Sequence, residues 1–169
     1  MKDETARRLV RTNGITATAA AGPRRLVELS PEEALRLLGT VPLGRLVFTR
    51  QALPTARPVN HVLDRGDIVI RTHEDAALLS RARQSHPHGV VVAYEADDID
   101  VGTRLGWSVV ATGYCHPVTD PAEVARYQAL VHPWLDHPMD HVVRIRPGLI
   151  TGMRLVDAAL PRSGDAAAR

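Results

Sequence analysis

The segment spanning residues 57–72 constrains the fold most, because it reads as two β-strands joined by a tight turn. The first strand, residues 59–63, is mostly apolar, and the second, residues 67–72, is rich in the β-branched side chains that favour strands. The turn falls at Asp64-Arg65-Gly66-Asp67, where a glycine among polar residues is typical of a hairpin. Short strands linked in this way favour an antiparallel sheet or barrel.

Two pairs of polar residues in this hairpin are candidates for a binding site. The second strand ends in Arg71 and Thr72, and a helical pattern over residues 74–83 follows directly. A helix N-terminus presents unpaired N–H groups and a partial positive charge, so this junction predicts an anion site. Asn60 and His61 interrupt the apolar first strand. His61 is open to two interpretations, a hydrogen-bonded structural histidine or a site residue.

The rest of the chain continues this pattern, giving about six or seven strands with roughly three helices between them. Ser30 and Asp120 each precede a proline and stand three residues before a glutamate, which predicts capped helix starts. Residues 95–100 are interpreted as a solvated acidic turn rather than a cation site. Strand pairs without regular βα alternation favour a β-barrel with peripheral helices over a Rossmann sheet. The further strands are predicted at residues 45–49, 90–94, 107–117, 142–146 and 149–156, the last two separated by Pro147-Gly148.

Length and charge limit the possible classes of protein. One domain is predicted at residues 26–158, between flexible tails at residues 1–25 and 159–169. The 21 basic residues are scattered and nearly offset by 19 acidic ones, which argues against a nucleic-acid partner. The sequence contains no run of about 18 apolar residues that would predict a membrane span, and its N-terminus lacks an apolar signal core. We therefore expect a cytoplasmic protein. The single cysteine excludes an intramolecular disulfide and a multi-cysteine metal site.

Common catalytic motifs do not occur in the sequence. There is no Gly-x-Gly-x-x-Gly, no Walker A sequence and no Gly-x-Ser-x-Gly elbow. Ser108 lacks the context of a nucleophile and is interpreted as a structural or ligand-contacting hydroxyl. His132, His137 and His141 lie close together, but intervening prolines prevent one regular helix from carrying all three, so no metal site is predicted. The motifs therefore identify no catalytic residue.

Taken together, these segments resemble the FMN-binding split-barrel proteins, the pyridoxamine 5'-phosphate oxidase-like family, and more closely its nitroimidazole-reductase-like, actinobacterial branch. The order and spacing of the segments carry the resemblance, which spans residues 29–156. The matching segments are Leu43-Gly44-Arg45-Leu46-Val47-Phe48, Pro58-Val59-Asn60-His61-Val62, Ile68-Val69-Ile70-Arg71-Thr72, Gly106-Trp107-Ser108-Val109-Val110-Ala111-Thr112-Gly113, Val142-Val143-Arg144-Ile145-Arg146-Pro147 and Ile150-Thr151-Gly152.

This resemblance implies a mainly β fold with peripheral helices, a six-stranded antiparallel split β-barrel. It also implies a homodimer with flavin sites at the subunit interface and a small-molecule substrate. FMN is the implied cofactor, and relatives use F420 or haem as alternatives. The implied cofactor-binding residues are Pro58, Val59, Asn60, His61, Ile70, Arg71, Thr72, Trp107 and Ser108.

In similar proteins the strand that matches residues 58–62 lies along the isoalloxazine ring, and the end of the next strand meets the ribityl phosphate. Because the flavin carries the electrons, the protein mainly orients it and excludes water. The chain departs from the family where Glu74 and Asp75 replace the usual basic residues, since they would repel a phosphate. Arg71 then remains, with Thr72, as the phosphate anchor, and Arg81 or Arg83, about two turns or more into the helix, is the alternative. The implied function is an FMN-dependent oxidoreductase; the alternative is a non-catalytic dimer that binds or senses flavin, F420 or haem.

Overall fold

The computed structural model describes residues 22–73, 89–134, 136 and 138–159. Most of both predicted tails and the helix predicted over residues 74–83 lie outside the described residues. Neither of the helices within those ranges has the length and apolar character needed to cross a bilayer. The strands are β1 (Arg24–Glu28), β2 (Leu43–Arg50), β3 (Leu53–Asp64), β4 (Asp67–Thr72), β5 (Val90–Asp100), β6 (Leu105–Pro117) and β7 (His141–Asp157), and the helices are α1 (Pro31–Leu38) and α2 (Pro121–Leu130).

Six antiparallel strands close into a ring. The strand order along the sheet is β1-β7-β4-β3-β2-β5-β6, and β6 pairs in addition with β7. The last six strands of that order therefore form a barrel, while β1 lies outside the ring and pairs with the C-terminal end of β7. Closure leaves the ring without the unpaired edges that an open sheet exposes. The predicted mainly β fold, a six-stranded antiparallel split barrel with peripheral helices, is confirmed.

The hairpin predicted at residues 57–72 is present, and its first strand, β3, is longer than predicted. Strand β4 spans Asp67–Thr72 as expected, whereas β3 begins at Leu53 rather than at Val59. In the turn between them Arg65 and Gly66 have φ angles of 53° and 90°. Positive φ at both central positions is the geometry of a type I′ turn, whose twist suits two adjacent antiparallel strands.

Two predictions about strand ends are wrong. Residues 95–100 are not a turn, because β5 continues through them to Asp100 and pairs with β6 along its whole length. The predicted pair of final strands is one continuous strand, β7. Pro147 lies opposite Gly113, where the β6–β7 register shifts. Proline is tolerated at such an irregularity because no ladder hydrogen bond is required of its missing N–H.

Both described helices begin at the predicted caps. Ser30 Oγ accepts a hydrogen bond from the backbone N of Glu33 at 3.2 Å, and Asp120 Oδ1 accepts one from Glu123 N at 2.8 Å. Helix α1 buries Ala34, Leu37 and Leu38 against the barrel interior. Helix α2 lies on the outside, where Tyr127 covers the outer face of β4 and β7.

The barrel interior holds the main hydrophobic core. Strand alternation directs one side chain in two towards it, and α1 closes it from one side. The single cysteine, Cys115, lies in this core and is fully buried, and burial raises the pKa of its thiol to about 12. The largest buried contributors from the strands are Leu46, Phe48, Ile68, Ile70, Tyr94, Trp107 and Ile145.

Candidate functional site

Strand alternation divides the predicted cofactor-binding residues between the two faces of the barrel wall. Those that belong to or pack against the interior are Val59, His61, Ile70, Thr72 and Trp107. Those on the outer face are Pro58, Asn60, Arg71 and Ser108. Only the second group can contact a ligand bound outside the barrel through its side chains.

A cleft of about 250 Å³ opens on this outer face, beside the start of β2. Pro58 lines it, and Ser108 lies one strand away, directly opposite Asp97 in the β5–β6 register. Ligand pockets that enclose a small molecule usually measure about 300–1,000 Å³, so one chain supplies part of such a pocket. The lining residues are Val41, Leu43, Gly44, Arg45, Pro58 and Asp97.

Arg45 and two carboxylates form the polar wall of the cleft. Arg45 Nη1 donates to Glu95 Oε2 and to Asp97 Oδ2, both at 2.9 Å. The bonds to Glu95 and then Asp97 raise the pKa of Arg45, so its charge is held. This wall therefore offers hydrogen-bond donors and acceptors with a small excess of negative charge. Sequence reasoning missed it because the acidic run was read as a turn; the signal was the spacing of two carboxylates by two residues.

Arg71 is engaged with the backbone that follows α2. Its Nε donates to the Met139 carbonyl at 2.9 Å, and its Nη1 donates to the carbonyls of Gln128 and Val131 at 3.1 and 3.2 Å. A cation is favourable there, since the last carbonyls of a helix lack intrahelical partners. Nη2 makes no hydrogen bond to a described residue, so it is the group left for an anion. The predicted role as phosphate anchor stays a prediction.

Asn60 connects two loops on the outer face. Its Nδ2 donates to the Pro42 carbonyl at 3.0 Å, and its Oδ1 accepts from the backbone N of Trp134 at 2.9 Å. Asn60 is 9% exposed, because the loop that follows α2 covers it. Its amide is thus used within the protein, and its effect on a ligand is exerted through the loops that it positions.

The contacts of His61 favour the structural interpretation. Its Nε2 lies 2.9 Å from the Leu38 carbonyl, and because a carbonyl can only accept, Nε2 is assigned the proton. Nδ1 then accepts from Tyr94 Oη at 2.8 Å. Burial lowers the pKa of His61, against the opposing effect of the Leu38 carbonyl, so the ring is neutral at neutral pH. Gly44 makes room for this pair, since a Cβ there would lie 2.5 Å from Tyr94 Oη.

The remaining inward residues do not reach the cleft. Ile70 is fully buried, and Thr72 Oγ1 donates to the His73 carbonyl at 3.0 Å. Trp107 is 7% exposed and lines a different cavity of about 260 Å³, together with Arg154 at the C-terminal end of β7. The structure therefore brings Pro58 and Ser108 close to one cleft and places the Trp107 side chain elsewhere.

A larger cleft of about 330 Å³ at the start of α2 contains none of the predicted residues. It is lined by Arg144, whose Nη2 lies 2.8 Å from both Glu123 Oε1 and the Tyr127 hydroxyl, and by Arg146, whose Nε lies 3.8 Å from Asp67 Oδ2. The cleft at Pro58 is the better candidate for the predicted site, because Pro58 lines it and Ser108 lies one strand away. Among the described residues no group of three or more histidine, cysteine or acidic side chains is arranged to hold a metal ion, and His137 lies outside them.

Residues 30–154 match the family model described as pyridoxamine 5'-phosphate oxidase. The chain therefore belongs to the pyridoxamine 5'-phosphate oxidase-like family, and the resemblance stated from the sequence is confirmed. Among curated proteins it is similar to the uncharacterised protein Rv0080 of Mycobacterium tuberculosis. The two are 53% identical over 133 residues, which is 79% of this chain and 88% of that protein.

Two solved structures extend the comparison. A Corynebacterium glutamicum protein that carries the pyridoxamine 5'-phosphate oxidase name is 34% identical, with a TM-score of 0.64 over 77% of this chain and 98% of that chain. The FAD binding protein from Mycobacterium smegmatis is 33% identical, with a TM-score of 0.57 over 77% of this chain and 98% of that chain. Both similarities cover most of the described barrel.

Proposed function

We propose that this chain binds a flavin in the cleft at Pro58 and uses it in an oxidoreductase reaction on a small molecule. The cleft carries the proposal, because it opens on the strand that the family resemblance assigns to the flavin ring. The 33% identical FAD binding protein supports a flavin as the cofactor. FMN is the cofactor expected from the sequence, and this relative makes FAD a second candidate.

The residues of the cleft suit a flat ring with a polar edge. Leu43 and Pro58 offer apolar contact, while Arg45 offers donors and Asp97 an acceptor. Arg71 Nη2 lies on the same face and would meet a phosphate. A bound flavin would supply one- and two-electron chemistry, and these residues would hold and orient it.

We infer that a second copy of the chain completes the site. The cleft is too small to enclose a flavin, and the outer face of β5, β6 and β7 carries exposed apolar side chains. Val91, Tyr114 and Leu149 are 59%, 47% and 60% exposed on three adjacent strands of that face. Val91 and Tyr114 are opposite each other in the β5–β6 register, and Leu149 lies on the next strand. Exposed apolar side chains grouped on one face mark an interaction surface, and a homodimer would cover them and exclude water from the cofactor. A cytoplasmic location, where reduced nicotinamides are available, fits this proposal.

The direct test is the visible spectrum of the purified protein, before and after incubation with FMN or FAD. Bands near ~370 and ~450 nm are expected, since the colour belongs to the cofactor. A single band near ~420 nm would indicate F420 or haem instead of a flavin. A protein that stays colourless and retains neither flavin on gel filtration would contradict the proposal.

Arg45→Ala tests whether the cleft is the flavin site. It removes a charged donor, so we expect the flavin dissociation constant to rise by roughly tenfold or more. Arg126→Ala is the matched control, because Arg126 is 50% exposed against 57% for Arg45 and also pairs with a carboxylate, Asp64, away from the cleft. Equal affinities of the two variants would remove Arg45 from the site.

A second candidate is a protein that binds or senses its cofactor without turnover. It is favoured by the engagement of Arg45 and Arg71 with groups of the protein itself, which leaves few donors for a substrate or a phosphate. Anaerobic mixing of the flavin-loaded protein with reduced nicotinamides separates the two functions. Rapid bleaching of the flavin, followed by recovery with an electron-poor aromatic acceptor, is expected of the enzyme.

A further inference from the structure

Trp134 is a large aromatic side chain that the fold leaves in solvent. It is 68% exposed, although tryptophan is highly buried on average in folded proteins. The other tryptophan, Trp107, is 7% exposed in the barrel core. Within the part of the chain that the structure describes, no packing contact accounts for an indole at the surface.

The backbone that carries Trp134 is held firmly by the sheet. Its N–H donates to Asn60 Oδ1 at 2.9 Å. On either side of it in sequence, Arg71 holds the Val131 carbonyl at 3.2 Å and the Met139 carbonyl at 2.9 Å. Two of the polar residues predicted to bind a cofactor therefore fix the position of this loop on the outer face.

The anchor of Trp134 lies next to the proposed flavin cleft. Asn60 is two residues from Pro58 on the same face of β3, a separation of about 7 Å along a strand. Trp134 is thus attached one pleat from a residue that lines the cleft. A ligand that extends from the cleft along β3 towards Arg71 would pass beside the backbone of Trp134, whose indole is exposed.

We propose that the Trp134 indole stacks on a planar heterocycle of the bound flavin, either the isoalloxazine ring or the adenine of FAD. This inference rests on the proposed flavin site. Stacking needs only two exposed ring faces, and it contributes most where the aromatic residue is already held in place. Asn60 and Arg71 act as positioning residues in this arrangement, because they hold the loop and leave the ring contact to Trp134.

The test is the dissociation constant of FMN and of FAD for wild type, Trp134→Ala and Trp134→Phe. We expect Trp134→Ala to weaken binding by about tenfold and Trp134→Phe to weaken it less, because a phenyl ring still stacks. Weaker binding of both FMN and FAD assigns the stack to the isoalloxazine ring, and weaker binding of FAD alone assigns it to the adenine. Leu53→Ala is the control, since Leu53 is equally exposed, at 67%, at the start of β3.

Unchanged affinity of Trp134→Ala for both flavins would overturn the inference while leaving the flavin site in place. A wild-type protein that binds neither flavin would instead contradict the proposed function, so the two failures are distinguishable. Light scattering at micromolar concentration tests whether a second copy of the chain, instead of a flavin, contacts Trp134. If Trp134→Ala converts a wild-type dimer to a monomer, Trp134 is a subunit contact and the stacking assignment is wrong.

Discussion

At the scale of single residues, Arg71 joins the sheet to the end of α2. Its side chain extends from β4 to three carbonyls between Gln128 and Met139. Each of these carbonyls lies beyond the reach of the helix ladder, so the guanidinium replaces bonds that water would otherwise supply. The residue has a structural role that is independent of any cofactor.

Arg71→Ala is therefore expected to lower the free energy of unfolding by about 1–3 kcal/mol, the usual cost of leaving partly buried polar groups unpaired. Urea unfolding of the cofactor-free protein measures this change. Arg36→Ala is the control, because Arg36 is 66% exposed and its ion pair with Glu33 is long, at 3.9 Å. Exposed pairs of this kind contribute about 0–1 kcal/mol. Indistinguishable urea midpoints for the two variants would argue against the structural role.

His61 makes stability depend on pH. The folded chain keeps its ring neutral, because burial lowers its pKa, whereas the unfolded chain protonates it near the ordinary value of about 6.5. The unfolded state thus binds more protons in the window below about pH 6.5, so stability falls as the pH is lowered through that window. The loss ends once the pH is below the folded pKa, where both states are protonated.

The variant His61→Gln removes this titration while keeping a side chain that can hydrogen-bond. We expect its unfolding free energy to vary less between about pH 7 and pH 5 than that of wild type, even if it is lower throughout. Urea titrations at a series of pH values measure the two slopes. Parallel curves would show that the pH dependence arises from other groups.

At the scale of elements, the local signals predicted structure well. The turn at Arg65-Gly66 and the helix starts at Ser30 and Asp120 depend on a few adjacent residues, and all three have the predicted geometry. The failures depend on pairing with other strands. Glu95 pairs with Arg45 of β2, fifty residues away in sequence, and the whole run to Asp100 pairs with β6.

In the candidate site, Pro58 is assigned through the family resemblance, because the strand predicted from the pattern begins at residue 59. The hydrogen bonds of Asn60 and Arg71 to the loop after α2 could not be predicted, since no local pattern in the hairpin indicates which distant carbonyls and amides lie above it. A polar residue in an apolar strand signals a specific partner without naming it.

The cap of α2 provides a test at this scale. Asp120→Ala removes the acceptor for Glu123 N, so we expect a loss of about 1 kcal/mol in the free energy of unfolding. Asp120→Asn keeps a side-chain acceptor and should restore most of it. Thermal or urea unfolding compares the two variants. Equal destabilisation by both would point to the carboxylate charge at the helix N-terminus rather than to the hydrogen bond.

At the scale of the whole molecule, the proposed dimer makes a clear prediction. Leu149→Glu places a charge in the exposed apolar face of β7, so we expect a monomer and, because the cleft is then incomplete, loss of flavin binding. Light scattering and a flavin titration measure both effects. Leu53→Glu introduces the same charge at an equally exposed leucine on β3 and should leave both properties unchanged. A Leu149→Glu dimer that binds flavin would contradict this interface.

Because Cys115 is buried, the rate at which it is alkylated reports opening of the barrel. The thiol is the only one in the chain and is fully enclosed by the barrel, and burial raises its pKa to about 12. In the native state at neutral pH, alkylating reagents therefore cannot reach the sulfur, and the sulfur is not a thiolate. Labelling then requires opening of the barrel around β6, where Cys115 is paired with Val90 of β5 and Ile145 of β7. Its rate, followed by mass spectrometry without added denaturant, measures how often the ring opens and whether a bound ligand keeps it closed.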